Sequence, residues 1–117
     1  MFKERSLSAY KIMWIMVMFD LPVTTFKERK AATKFRNTLL DYGFEMSQYS
    51  IYVRRHPSAS QVESTVKKIQ NEVPKEGRVS LLEFTDKQFE RIKILRGSKT
   101  LAQKYMHDQF ILLKSLI

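Results

Sequence analysis

Eight consecutive apolar residues, Ile12 to Phe19, stop at a carboxylate, Asp20, and then at Leu21-Pro22, and this stretch limits what the chain can become more than any other. A bilayer span needs about 20 such residues, so the run does not cross a membrane. A strand with one wet face alternates apolar and polar residues, whereas a run without alternation reads as a central strand covered on both faces. Pro22 has no N–H to give to a ladder, so pairing ends before it. Asp20 is thereby set at the carboxyl end of the strand, on the rim where open α/β sheets bind ligands. An Asp ahead of Leu-Pro is also an ordinary turn residue, and from these residues alone both readings stand.

The 117 residues carry 21 Lys and Arg against 12 Asp and Glu, a formal net charge of +9, which points to a polyanion as partner. Nucleic acid is the class favoured, because neither an acidic small substrate nor a membrane surface explains where the charges sit. There is no cysteine, so disulfides, thiolate zinc sites and cysteine catalysis are excluded together. Lys3, Arg5 and Lys11 ahead of the apolar run imitate a signal peptide, but Phe-Asp-Leu-Pro follows it where small residues suited to cleavage would stand. A cytoplasmic protein is expected. Its organisation reads as one domain over residues 1–97, the first nine or so an extension, and a tail over 98–117.

After a first strand from Tyr10 to Phe19, Thr25-Phe-Lys-Glu28 has capping-box spacing and predicts a helix start. Ala31, Phe35, Leu39 and Tyr42 form its apolar stripe, and Gly43 supplies a left-handed stop. Lys27, Arg29, Lys30, Lys34 and Arg36 stand on the outer side of its first half, where the helix dipole is already positive; a phosphate there relieves the conflict. From Phe44 to Val53 the apolar positions switch from even to odd, so a bulge or tight turn near Gln48 gives one kinked strand or two antiparallel ones. Arg54, Arg55 and His56 follow; His56, without ligand-spaced neighbours, reads as a solvent or phosphate contact. Ser60-Gln-Val-Glu63 repeats the capping-box spacing ahead of a stripe of Val62, Val66 and Ile69, and Pro74 ends that helix. Val79 to Phe84 reads as a strand, Thr85 to Phe89 as one helical turn, and Arg91 to Ile94 as a half-exposed edge strand. Met106, Phe110, Leu113 and Ile117 have helical spacing and are expected to cover apolar surface on the core, a second subunit or a partner. His107 beside Asp108 finds no partner residue that makes a site.

This order is that of an α+β fold, a ferredoxin-like split βαβ sandwich with an extra C-terminal strand and tail. Many functions use that plan, and an RNA-recognition domain built on it needs a Gly-Phe-Gly-Phe-like strand that this chain lacks. Four segments narrow the choice: Phe19-Asp20-Leu21-Pro22, Asp41-Tyr42-Gly43-Phe44, Gln48-Tyr49-Ser50-Ile51-Tyr52 and Thr85-Asp-Lys-Gln-Phe89. Together they resemble the CRISPR-associated family "Cas Two", the small partner of the CRISPR spacer integrase, from Tyr10 to about Gly97. Phe19 stands where that family often has tyrosine, and the resemblance carries no role to Met1–Ser8 or Ser98–Ile117.

The resemblance implies a homodimer whose two Asp20 side chains face each other across the twofold axis. It further implies a DNA-binding scaffold on which the integrase holds DNA for spacer acquisition in antiviral defence, together with metal-dependent cleavage of RNA or double-stranded DNA, two roles that do not exclude each other. Asp20 is then the catalytic and metal-binding residue, with Mg²⁺ shared between two carboxylates because one alone is a poor magnesium site. Lys27, Arg29, Lys30, Arg54 and Arg55 are the expected nucleic-acid contacts, to phosphates and not to bases. A toxin-like ribonuclease or regulatory protein of the same fold is the alternative.

Overall fold

The computed structural model of the chain describes residues 12–97. Seven elements follow in order: β1 (Met13–Asp20), α1 (Phe26–Asp41), β2 (Glu45–Gln48), β3 (Ile51–His56), α2 (Ala59–Gln70), β4 (Arg78–Thr85) and α3 (Asp86–Glu90). The four strands form one antiparallel sheet in the order β2-β3-β1-β4, the ferredoxin-like arrangement the element order predicts. β1 is central, as the apolar run requires.

The two faces of β1 differ. Ile15, Val17 and Phe19 pack under α1 and α2 against Phe35, Leu39, Phe44, Tyr52, Val62 and Ile69, forming the main core. Burying each large apolar side chain there contributes about 1.5–3 kcal/mol. On the opposite face Trp14 is buried, but Met16 and Met18 are only half-buried and Leu82 is 51 % exposed. The expectation of cover on both faces is therefore corrected. Among the described residues the one element on that face is α3, whose Phe89 ring stacks on Trp14 with centroids 3.7 Å apart while Asp86 accepts the indole N–H. Its five residues reach only the Trp14 end of the strand.

Local chemistry accounts for the element ends. Thr25 and Glu28 make both bonds of the capping box, Thr25 N–H to Glu28 Oε1 at 2.8 Å and Glu28 N–H to Thr25 Oγ1 at 3.1 Å, and the Thr25 N–H holds the Glu28 carboxyl below the usual carboxylate range. Thr85 and Gln88 repeat the device at α3, a T-x-x-Q spacing present in the sequence. The capping box expected at Ser60 does not form: Ser58 is the N-cap of α2, and its hydroxyl bonds the Ser60 hydroxyl at 2.9 Å and caps no N–H. The buried stripes run through Ala32, Phe35 and Leu39 and through Val62, Thr65 and Ile69, so Ala31 is exposed and Val66 only partly covered. α2 ends at Gln70, before Pro74.

Between Met46 and Gln48 the ladder shifts register, and Ser50 takes a positive φ of 63° in the turn that follows. Bulge and tight turn both occur, giving two short strands. The edge strand expected at Arg91–Ile94 is absent among the described residues. Arg91 and Ile92 donate their N–H groups to Gln88 and Phe89, closing the last turn of α3 when a ladder would need them. The tail residues Met106, Phe110, Leu113 and Ile117, and the start of the first strand at Tyr10, lie outside the described residues.

Candidate functional site

Side chains alternate along β1, so Asp20 shares a face with Trp14, Met16 and Met18: the half-covered face, not the helix-covered one. It is exposed at the strand's end. The residue before it is anchored: Phe19 lies edge-on to Phe35 at 5.3 Å and stacks on Tyr52 at 5.7 Å, and its N–H donates to Ser50 O at 3.1 Å.

The register of β1 with β4 places Arg78 directly across from Asp20, on the same face and exposed. Neither belongs to an ion pair among the described residues. Next to Arg78, Gly77 has a φ of +90°, and a Cβ built on it would lie 2.7 Å from Asp20 O and 2.9 Å from Leu21 Cδ2. Only glycine meets both the backbone angle and the close approach, so the loop entering β4 clamps down on the strand end that carries Asp20. Sequence reading missed Gly77 and Arg78 as parts of the site, since strand register is set by the folded sheet.

Magnesium takes oxygen ligands in near-octahedral array and keeps several waters. Asp20 offers the right donor atom, but no three His, Cys, Asp or Glu side chains converge on a ligand set among the described residues. The described residues of one chain fit as half of a magnesium site and not as a complete one.

The five expected nucleic-acid contacts are not gathered in one place. Lys27 and Lys30 are exposed on α1, where Lys30 and Lys34 line a shallow groove beside the exposed ring of Phe26. Arg29 is occupied in part: its guanidinium donates to Val23 O at 3.2 Å and Thr24 O at 3.0 Å, tying the loop after Pro22 to the helix. Arg54 is half-buried on the helix-covered face, 3.4 Å from Thr65 Oγ1 and packed beside Gly43. Arg55 is exposed on the other face, across from Trp14.

His56 is corrected outright. Its pairing with Met13 turns it to the helix-covered face, where it is fully buried with Nε2 2.9 Å from Thr65 Oγ1 and Nδ1 3.3 Å from Arg54 O. Burial, and then the charge of Arg54, push its pKa down, so it is a neutral core residue and touches no phosphate.

No helix among the described residues is long and apolar enough to cross a membrane. A sequence profile described as "CRISPR associated protein Cas2" matches residues 13–92. The chain is 47 % identical over 104 residues to a "CRISPR-associated endoribonuclease Cas2" of Paracidovorax avenae, an alignment covering 89 % of this chain and 96 % of that protein. It is 45 % identical over 93 residues to a protein of the same name from Flavobacterium psychrophilum, covering 80 % and 81 %. A solved structure, "Crystal structure of cas2", superposes with a TM-score of 0.54 at 18 % identity, over 77 % of this chain and 92 % of that one, and so shares the fold. With the profile spanning most of its length and relatives this similar, the chain belongs to the CRISPR associated protein Cas2 family.

Proposed function

We propose that this chain works as a cytoplasmic homodimer that cleaves RNA in CRISPR immunity, with Asp20 as its catalytic carboxylate. The observation that carries the reading is an Asp20 that is exposed and, among the described residues, unpaired, at the end of a central strand on the face of the sheet that those residues leave half-covered. The endoribonuclease names of the relatives from Paracidovorax avenae and Flavobacterium psychrophilum support the reaction class. The dimer follows from the same face: Met16, Met18 and Leu82 are apolar and incompletely buried, and a second copy laid against them removes that surface from water. Two Asp20 side chains, one from each copy, would then hold Mg²⁺, an ion that supplies Lewis acidity at a scissile phosphate when bound.

What the chain itself does is limited and specific. Asp20 binds through its carboxylate oxygens, and the Phe19 ring contacts and the close approach of Gly77 hold the backbone that carries it. Lys27 and Lys30, with no part in an ion pair among the described residues, attract the phosphate backbone from the outer side of α1.

A second reading has its own observation. Exposed cations of α1, Lys27 and Lys30 among them, lie on the helix side of the sheet while Asp20 lies on the other, a separation that suits a protein gripping duplex DNA without cutting it. In that reading the dimer is the scaffold on which the CRISPR integrase holds double-stranded DNA for spacer acquisition.

The deciding experiment compares the wild-type protein and Asp20→Asn. Loss of Mg²⁺-dependent RNA cleavage with an unchanged circular-dichroism melt is expected. Cleavage at the wild-type rate by Asp20→Asn, from a nuclease-free preparation, refutes the role of Asp20 and leaves the scaffold.

A further inference from the structure

Directly opposite residues of an antiparallel pair have their Cβ atoms about 5 Å apart, near enough for a carboxylate and a guanidinium to bond. Asp20 and Arg78 are such a pair and do not bond, although both are exposed on one face. Their backbones are held in that register with little slack. The ladder is unbroken from Met13↔Thr85 to Asp20↔Arg78, and Gly77 closes against Asp20 O at the very end of it. A free carboxylate and a free guanidinium at neighbouring points of a rigid sheet end divide naturally between the two parts of one ligand, a cation and a phosphate.

We propose that Arg78 is the residue of this site that binds the scissile phosphate of RNA, presenting its guanidinium fork to the non-bridging oxygens while Asp20 acts beside it. The proposal rests on the reading of Asp20 above. Arg78 acts as a hydrogen-bond donor and not as an acid or base, since a guanidinium presents five N–H donors and no acceptor. It orients the phosphate and offsets the charge that builds on its oxygens during cleavage, the use of arginine to which a planar fork is suited and an ammonium is not. Other exposed cations among the described residues stand on the three helices, in the loops or, as Arg55, across from Trp14; Arg78 is the one that the β1–β4 register sets opposite Asp20.

The test uses the full chain, a fluorescein-labelled single-stranded RNA, and the variants Arg78→Gln, Arg78→Lys and Asp20→Asn. Size-exclusion chromatography with light scattering first records the oligomeric state of each. RNA affinity is then followed by anisotropy over a salt series in EDTA, and single-turnover cleavage is followed with Mg²⁺ at a saturating excess of protein over RNA. Arg78→Gln is expected to keep the wild-type oligomeric state, to lower the log–log salt slope by about 0.7, the value of one single-strand phosphate contact, and to slow cleavage by about 10²-fold. Arg78→Lys keeps the slope but not the rate.

A wild-type slope in Arg78→Gln overturns the proposal, as does a lowered slope with an unchanged rate, which marks a contact remote from the chemistry. Dissociation of Arg78→Gln into monomers overturns it too, making Arg78 a subunit bridge. If Asp20→Asn cleaves like wild type, the reading of Asp20 fails, and the salt slope still reports on Arg78 by itself.

Discussion

Gly77→Ala is the substitution whose cost the structure specifies most fully. At a φ of +90° an alanine has strain of about 1–2 kcal/mol. Its Cβ would also stand 2.7 Å from Asp20 O and 3.0 Å from Leu21 Cα, both backbone atoms that cannot swing aside, which adds about 1–3 kcal/mol of overpacking. The sum, about 2–5 kcal/mol, corresponds to a melting point lower by roughly 10–20 °C in a domain of this size. Gly43→Ala separates the two causes. Its φ is +85°, nearly the same, but the nearest atom to its Cβ is Arg54 Nε at 3.5 Å, an ordinary contact with a side chain. It should lose about 1–2 kcal/mol and no more. Thermal melts followed by circular dichroism, with urea titrations for the free energies, read both. Gly77→Ala should also lose RNA cleavage beyond what its stability loss explains at 20 °C, because relieving the clash moves the Asp20 backbone; Gly43→Ala should cleave normally. Equal melting points for the two alanine variants would refute the close-approach argument.

Further consequences are open to measurement. His56 has a lowered pKa in the folded chain, so the unfolded chain takes up its proton first as pH falls. The sign is therefore that stability is full above about pH 6.5 and declines below it, by up to about 1.4 kcal/mol per pH unit, and urea titrations from pH 7.5 to 5.5 should show this slope in wild type and not in His56→Asn. Phe89→Ala removes the ring stacked on Trp14, the single tryptophan, and should cost about 3–5 kcal/mol with a red shift of the indole emission; Thr85→Ala, which loses one capping bond, should cost about 1 kcal/mol with a smaller shift. Charge reversal at Lys27, Lys30 and Arg55 together should lower the duplex-DNA salt slope by about 2.7, three contacts at 0.9 each, whereas reversal at Arg29 and Arg54 should chiefly destabilise the fold, since both guanidiniums have partners inside it.

How far the sequence could be read follows a physical line. Features carried by neighbours in the chain were legible: the Thr25 capping box, the glycine stop at 43, the change of phase near Gln48 and the short turn of helix before Phe89. Offsets of one or two residues crept in where two local solutions compete. Ser58-x-x-Gln61 and Ser60-x-x-Glu63 have the same spacing, and the choice falls to the earlier serine because α2 must turn Val62, Thr65 and Ile69 together onto the sheet. His56 was misread because the two faces of β3 look alike in sequence: Arg54 and His56 go inward, Arg55 outward, and only the pairing with β1 says which. Arg78 is the same case with a larger consequence, an arginine at the entry to a strand that acquires meaning only from the residue seven rungs along the β1–β4 ladder from Met13.

The apolar run shows where local reading and single-chain structure part. A strand without alternation states that both faces avoid water in the working molecule, yet the described residues supply a helical layer for the face of Ile15, Val17 and Phe19 and only the five residues of α3 for the other. The uncovered portion runs from Met16 toward Asp20, so whatever surface completes the burial must come up against the end of the strand that carries the carboxylate. The same contact that removes Met16 and Met18 from water would bring new groups to Asp20. If that surface is a second copy, the groups include another Asp20 and another Arg78, and two half-sites meet as a consequence of where the apolar residues stop. A chain that stays monomeric at high concentration with Met18→Asp as stable as wild type would break this link, because the half-covered face would then have no occupant and Asp20 no counterpart.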